Sequence, residues 1–324
     1  MILISIVKLV IGFLLLVKGA DYFVEGASSI AKRLGIPTFV IGLTIVAFGT
    51  SAPELAVSLS AAIKGSNDIA IGNVVGSNIF NTLMVLGASA AITPIMVRKN
   101  VIRKDYPMSI FAAVLLGVLA MDTILFKAPA MTISRLDGGI LLLAFGCFMY
   151  ITVREGMKQR AAFKSEHEEV IANMSLPVGK SIFILIIGLA GIVLGGDLSV
   201  DGAKEIARAF GLSEALIGLT IVAFGTSLPE LVTSVVAAKK GESDIAVGNV
   251  IGSNLFNIFF ILGTSAAILP MNVSSSYLYD ITVLIAVMVL TYIPIAKTKK
   301  ISRGVGVLMV AAYLMYTVYL IVRS

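Results

Sequence analysis

The sequence predicts an all-α integral membrane protein with ten transmembrane helices, arranged as two inverted-topology repeats of five helices each. Its composition, an internal duplication and the positions of its basic residues predict this fold. Of the 324 residues, 58% are hydrophobic and only 14% are charged, and the mean hydropathy is +1.00. Apolar runs such as ILISIVKLVIGFLLLV approach the roughly 20 residues of helix that cross a bilayer. The lipid bilayer is therefore the expected environment of the chain.

An internal duplication divides the chain into two related halves. At an offset of 176 residues, segments 35–94 and 211–270 share 38 identities in 60 positions, and IGLTIVAFGTS is identical at 41–51 and 217–227. The expected units are a first five-helix repeat over 1–153 with its motif at 41–94, a polar linker over 154–179, and a second five-helix repeat over 180–324 with its motif at 217–270.

Five spans in each repeat, an odd number, force the two repeats into opposite orientations. With the N-terminus outside, the inner loops hold 17 of the 25 Lys and Arg residues, which agrees with the positive-inside rule. We therefore expect a multi-pass protein of the cell membrane with both termini extracytoplasmic and the linker cytoplasmic. Inverted repeats are typical of secondary transporters. The expected spans are about 3–26, 38–63, 68–94, 106–125, 136–153, 180–203, 214–238, 244–270, 279–296 and 305–322.

Composition argues against several other classes of protein. Cys147 is the only cysteine and His167 the only histidine, and neither a His-rich metal site nor His-based hydrolysis within the membrane is expected. The spans contain no Ser–His or paired-Asp motif, so we do not expect an enzyme. The isoelectric point near 9.3 is attributed to inner loops rather than to nucleic-acid binding. No cofactor and no obligate protein partner are expected.

The phrase GTSAPE at 49–54 returns as GTSLPE at 225–230, each time inside an apolar span. Proline lacks an amide hydrogen and clashes with the carbonyl four residues earlier, so Pro53 and Pro229 are expected to break their helices. Carbonyls freed in this way are tolerated in a membrane only where protein, water or an ion satisfies them. A binding site is therefore expected at each break.

Glu54 and Glu230 lie near the middle of their predicted spans. A carboxylate at that depth costs several kcal/mol unless it is paired, protonated or bound to a cation. No Lys or Arg occurs within 38–63, and none within 214–238. Two symmetric carboxylates without a basic partner in their spans therefore favour a cation site over a structural ion pair.

A second duplicated motif, GNVVGSNIFN and GNVIGSNLFN, adds further oxygen ligands. Asn73, Ser77 and Asn81 recur every four residues along one helix face, as do their counterparts in the second half. Such an all-oxygen set without thiolate or imidazole suits Ca²⁺ or Na⁺ rather than zinc or copper. Two glutamates balance one Ca²⁺, and a site that cannot hold both ions together would couple their movements.

These motifs closely resemble those of the sodium/calcium exchanger family of the cation/Ca²⁺ antiporter superfamily, in a minimal prokaryotic form. The resemblance implies ten transmembrane helices and Na⁺/Ca²⁺ antiport by alternating access, with the first and sixth spans as sliding elements. By position, the family's motif implies Glu54 and Glu230 as the main Ca²⁺ ligands. The other implied Ca²⁺ and Na⁺ ligands are Thr50, Ser51, Ser77, Asn81, Thr226, Ser227, Ser253, the site position Asn257, and carbonyls near Ala47 and Ala223.

Three alternatives remain open at this point. Asn257 stands where several family members carry an aspartate, which leaves K⁺-dependent Na⁺/Ca²⁺ exchange open. In a Ca²⁺/H⁺ antiporter, Glu54 and Glu230 would take up protons instead of Na⁺. A passive cation channel is a different class, but two inverted halves around one central site suit alternating access better than a continuous pore.

Overall fold

The computed structural model describes residues 2–121, 131–174, 176–211 and 223–323, without the side chains of 67, 68, 159–174, 223 and 275. Nearly all of this part of the chain is helical. Seven helices within it are long and apolar enough to cross a membrane, or eight when a pair bent by 50° counts as one broken span. The predicted helical membrane-protein class is confirmed.

The first half consists of a long helix, a broken helix and four further helices. In chain order they are α1 (Ile2–Leu34), α2 (Thr38–Thr50), α3 (Ala52–Ile63), α4 (Asn67–Phe80), α5 (Leu86–Ile92), α6 (Tyr106–Leu119) and α7 (Arg135–Met174), with π-helical turns at Gly42–Val46, Asn81–Val85 and Val101–Asp105.

The second half repeats this order and also begins with a long helix. Its helices are α8 (Val178–Ala209), α9 (Ala223–Thr226), α10 (Leu228–Lys239), α11 (Ser243–Leu255), α12 (Gly263–Ile268), α13 (Ser275–Thr298) and α14 (Arg303–Arg323), with a π-helical stretch at Phe256–Leu262.

Several helices extend beyond the predicted spans. The predicted spans 3–26 and 180–203 become Ile2–Leu34 and Val178–Ala209, because hydropathy marks the part of a helix inside the bilayer and not its polar ends. The span 136–153 continues as helix to Met174, so most of the predicted linker is helical. The end of span 106–125 and the start of span 214–238 lie outside the described residues.

Glycines end the helices at equivalent places in the two halves. Gly35 and Gly65 have φ of 64° and 73°, and their counterparts Gly211 and Gly241 have φ of 79° and 77°. A residue without Cβ adopts this left-handed conformation without steric cost and commonly terminates helices. The duplicated glycines therefore stop the first two helical spans of each half at the same points.

Two short antiparallel strand pairs connect the halves at the ends of the helices. Strand β1 (Ile95–Met96) pairs with β4 (Lys300–Ile301), and β2 (Thr132–Ile133) pairs with β3 (Met271–Asn272). Each pair joins the segment after a long apolar helix of one half to a turn between helices of the other half. The halves are thereby held together at both ends of the molecule.

Helices α1 and α8 pack antiparallel along a line of small residues spaced seven apart. A Cβ added to Gly19 would lie 2.8 Å from the Gly188 carbonyl oxygen, and one added to Gly195 would lie 2.7 Å from the Gly12 carbonyl oxygen. Small residues allow such backbone contact between membrane helices. The two long helices are therefore in close contact over most of their length.

Gly19→Ala is expected to destabilise the protein, because its methyl group would overlap the α8 backbone. Overpacking of this kind costs about 1–3 kcal/mol. The matched control is Gly139→Ala in α7, where an added Cβ meets no atom within 4 Å. Thermal unfolding in detergent would measure both, and equal midpoints for the two variants would contradict the close contact.

Candidate cation site

Both duplicated motifs interrupt a helix at a serine. Ser51 separates α2 from α3 with φ −84° and ψ 10°, and Ser227 separates α9 from α10 with φ −94° and ψ 6°. Pro53 and Pro229 lie in the first turn of the following helix, where their missing amide hydrogen costs least. The break predicted from Pro53 is present, and it places a serine hydroxyl and a glutamate carboxylate within one turn.

The Glu54 carboxylate is fully buried and is bonded by hydroxyls from both halves. Ser227 Oγ donates to Glu54 Oε1 at 2.8 Å, and Ser77 Oγ lies 3.5 Å from the same oxygen. The two hydroxyl oxygens are themselves 3.1 Å apart. The carboxylate of the first half is thus bonded by the serine at the helix break of the second half.

Glu230 repeats this arrangement with the halves exchanged. Ser51 Oγ donates to Glu230 Oε1 at 2.7 Å, and Ser253 Oγ lies 3.4 Å from that oxygen and 2.9 Å from Ser51 Oγ. Glu230 is also fully buried. The two carboxylates therefore form one site to which each half contributes a glutamate and two serines.

The second oxygen of each carboxylate has no protein partner. Glu54 Oε2 and Glu230 Oε2 are both buried without a hydrogen bond in the described part of the chain. A buried unpaired carboxylate oxygen is costly unless a cation or a proton satisfies it. In the described residues no Lys or Arg forms an ion pair with either carboxylate. The site therefore fits a hard cation, which oxygen atoms bind.

The predicted threonines and carbonyls lie at the same place but differ between the halves. Thr50 Oγ1 donates to Asn249 Oδ1 at 3.0 Å and lies 3.3 Å from the Ala47 carbonyl oxygen. Thr226 Oγ1 faces Glu54 but has no partner at hydrogen-bonding distance among the described residues. Ala223 is the first residue of α9. Each threonine thus lies beside the carboxylate of the other half.

The two predicted asparagine ligands also differ. Both amide atoms of Asn81 are buried and unpaired in the described part of the protein. Asn257 Nδ2 donates to Asn78 Oδ1 at 3.1 Å, which leaves Asn257 Oδ1 unpaired. Asn81 and Asn257 thus each keep an amide oxygen without a hydrogen bond in the described part of the chain.

Asn73 and Asn249, which the sequence placed on the ligand face, contact the backbone behind the carboxylates. Asn73 Nδ2 donates to the Glu54 carbonyl oxygen at 3.2 Å and to Ser58 Oγ at 2.9 Å. Asn249 Nδ2 makes the equivalent contacts with the Glu230 carbonyl at 3.5 Å and Ser234 Oγ at 2.9 Å. These amides fix the first turn of α3 and of α10, and so position the glutamates.

The sequence did not single out three sets of polar residues near the site. Ser58 and Ser234 bond the two asparagines, and Thr82 Oγ1 accepts a hydrogen bond from Asn254 Nδ2 at 3.0 Å. Thr233 is fully buried one turn after Glu230, with no partner among the described residues. The duplication could have revealed Thr233, because valine occupies the equivalent position 57.

This geometry defines a class: a helical multi-pass membrane protein with a buried, oxygen-only site built jointly by two related halves around two carboxylates. A profile of the family described as Sodium/calcium exchanger protein matches residues 4–154 and 180–322. The chain belongs to this sodium/calcium exchanger family, as the resemblance of its motifs predicted.

Individual relatives are similar along their full length. The chain is 37% identical to Sodium/calcium exchanger MaX1 of Methanosarcina acetivorans, over 99% of both chains. It is 36% identical to Inner membrane protein YrbG of Escherichia coli, over 97% of this chain and 96% of that protein. A solved structure of the sodium-calcium exchanger NCX_Mj, soaked with zero Na⁺ and Ca²⁺, superposes with a TM-score of 0.84 at 35% identity, over 99% of this chain and 100% of that chain.

Ser227→Ala is expected to weaken cation binding. Glu54 Oε1 would lose its shortest hydrogen bond, and the site would lose one hydroxyl group. A hydrogen bond to a charged group is worth about 1.5–3 kcal/mol, which corresponds to roughly a 10- to 150-fold loss of affinity. Calorimetric titration of purified protein with Ca²⁺ measures this affinity. Ser60→Ala, at an exposed position of α3, is the control. Unchanged affinity in Ser227→Ala would argue against the shared site.

Proposed function

We propose that the chain exchanges Na⁺ for Ca²⁺ across the cell membrane, with Na⁺ entry driving Ca²⁺ efflux by alternating access. The observation that carries this proposal is the pair of buried carboxylates, Glu54 and Glu230, each with one oxygen unpaired in the described residues. Family membership supports it, because relatives are named sodium/calcium exchangers. Ca²⁺ and Na⁺ are the cargo, and we propose neither a resident cofactor nor a catalytic reaction.

The chemistry of the site accounts for coupling. Two carboxylates carry a charge that one Ca²⁺ neutralises and that Na⁺ ions also neutralise at the same oxygens. Without a cation the two buried charges would repel each other in a medium of low dielectric, so the unloaded protein would rarely change conformation. Movement of the loaded protein in both directions then exchanges one ion for the other.

Each proposed ligand has a specific role. Glu54 and Glu230 supply the charge for Ca²⁺, and the neutral oxygens complete its coordination and that of Na⁺. Hydroxyl, amide and carbonyl oxygens suit both ions because both are hard cations. The proposed neutral ligands are Thr50, Ser51, Ser77, Asn81, Thr226, Ser227, Ser253, Asn257 and the carbonyls of Ala47 and Ala223.

We further propose ten spans in two inverted five-helix repeats, over 1–153 and 180–324, with 154–179 and the basic loops in the cytoplasm. Contacts between helix ends support this arrangement, because they fall into two sets. Segments expected inside pair with one another, as in Lys32–Glu242 and Arg98–Asp244. Segments expected outside do the same, as in Lys8–Glu205.

Transport is tested by radioactive Ca²⁺ uptake into proteoliposomes that are loaded with Na⁺ and diluted into Na⁺-free buffer at clamped pH. Uptake is expected to require internal Na⁺ and to fall at least about 100-fold in Glu54→Gln and in Glu230→Gln, because each loses a buried ligand charge worth several kcal/mol. Glu25→Gln, at an exposed position of α1, is the matched control and should retain activity.

Other outcomes of the same assay would reject Na⁺/Ca²⁺ exchange. Uptake driven by a proton gradient without Na⁺ would identify a Ca²⁺/H⁺ antiporter, and a requirement for K⁺ would identify a K⁺-dependent exchanger. Uptake that needs no ion on the opposite side would identify a channel. Full activity of both glutamine variants would place the transport site elsewhere.

The proposed topology is tested with cysteines at the equivalent positions 100 and 276, in a chain whose only native cysteine, Cys147, is replaced by serine. Asn100 and Ser276 are both exposed. A membrane-impermeant maleimide added to intact cells is expected to label Ser276→Cys, and to label Asn100→Cys only after permeabilisation. Labelling of both variants from the same side would contradict the inverted arrangement.

A further inference from the structure

We infer that one end of the molecule binds the headgroups of anionic phospholipids. The surface is called the basic face and consists of two segments, 93–104 and 296–304. Neither segment contains Asp or Glu. Its cationic residues are Arg98, Lys99, Arg103, Lys104, Lys297, Lys299, Lys300 and Arg303.

The fold brings these two segments together although they are far apart in the chain. Strands β1 and β4 pair Ile95 with Ile301 and Met96 with Lys300. The Val97 amide also donates to the Lys299 carbonyl oxygen at 2.9 Å. Eight cationic side chains are thus concentrated around one two-stranded sheet, where their mutual repulsion opposes folding unless anions reside nearby.

Most of these charges have no protein counter-ion. Arg98 pairs with Asp244 and Lys104 pairs with Glu155. The other six are exposed and make no ion pair within the described part of the chain, namely Lys99, Arg103, Lys297, Lys299, Lys300 and Arg303. The basic face therefore keeps a large positive charge that is open to a ligand.

The position of the basic face identifies that ligand. It lies at the ends of three apolar helical segments: the end of α5 at Ile92, the end of α13 at Thr298 and the start of α14 at Arg303. The end of a membrane-spanning helix lies at the level of the lipid phosphates. Clusters of four to eight Lys or Arg next to a span bind anionic lipids at about 1 kcal/mol for each charge, which is roughly a fivefold effect.

The equivalent sheet at the other end of the molecule provides an internal comparison. Strands β2 and β3 pair in the same way, but segments 131–137 and 268–276 contain one basic residue, Arg135, together with Asp137. The Arg135 guanidinium donates to the Ile268 carbonyl oxygen at 3.3 Å. A sheet of this kind therefore forms without a cationic cluster, so the charge of the basic face is not needed to form the sheet.

Lys299 gives independent support. Its φ of 54° makes it the only non-glycine residue with positive φ in the described residues. This conformation terminates α13, and glycine or asparagine is the favoured residue there. Lys299 thus places a cation at the centre of the basic face, at a position that glycine could also occupy.

The test uses the full-length protein in detergent and measures bound lipids by native mass spectrometry, with phosphatidylglycerol as the anionic lipid and phosphatidylcholine as the neutral one. Phosphatidylglycerol is expected to bind more tightly. Changing Lys297, Lys299, Lys300 and Arg303 together to Gln should weaken its binding at least tenfold. Lys299→Gly should weaken it about fivefold without lowering the lipid-free unfolding midpoint, and Arg135→Gln should change neither.

Three results would overturn the inference. The first is equal binding of the two lipids by the unmodified protein. The second is an equal loss of lipid binding in Arg135→Gln and in the variant with four substitutions. The third is complete competition by inorganic phosphate at equal concentration, which would identify a site for free anions. An intact unfolding midpoint in Lys299→Gly separates loss of charge from loss of fold. Because lipid binding is measured without an ion gradient, its result does not depend on Na⁺/Ca²⁺ exchange.

Discussion

The structure depends on one reciprocal interaction, in which the serine at each helix break donates to the glutamate of the other half. Ser51 bonds Glu230 at 2.7 Å and Ser227 bonds Glu54 at 2.8 Å. Two carboxylates can be buried in a membrane only if donors and a cation replace water. Two of the four hydroxyl donors, Ser51 and Ser227, lie at the helix breaks, and the other two, Ser77 and Ser253, lie within α4 and α11. The proline of each motif follows the break in the first turn of the next helix, where its missing amide hydrogen costs least.

A second layer of contacts keeps this arrangement in register. Asn73 and Asn249 tie the backbone of each glutamate to the next helix, at 3.2 and 3.5 Å. These amides fix the orientation of the interrupted helices, which could otherwise bend at the break before each proline. By contrast, the two long helices α1 and α8 contact each other through glycines. The site helices are thus joined by hydrogen bonds, whereas the long pair is joined mainly by close packing, which resists separation but has fewer directional constraints.

Much of the candidate site could be predicted from the sequence, because duplication makes unusual polar residues visible twice. Glu54 and Glu230 stand out as carboxylates in apolar spans, Ser77 follows from its spacing, and the threonines follow from the family resemblance. Which half supplies the donor for each carboxylate could not be predicted, because helical periodicity describes one helix and not its neighbours. Asn73 shares a helix face with Ser77, yet it bonds backbone behind the site. The lengths of α1 and α7 were underestimated because hydropathy ends where the bilayer ends, whereas backbone hydrogen bonding continues.

The differences between the halves are as informative as their similarity. Thr50 is bonded to Asn249 while Thr226 is unpaired, and Asn257 is bonded to Asn78 while Asn81 is unpaired within the described residues. The sequence contributes to this, because Thr82 accepts from Asn254 where the equivalent residue, Ile258, has no oxygen. In the proposed inverted arrangement, two halves in identical conformations would leave the site equally open or closed to both sides of the membrane. A transporter that alternates must therefore have unequal halves in each open state. The unequal hydrogen bonding of equivalent side chains at the candidate site is consistent with such a difference.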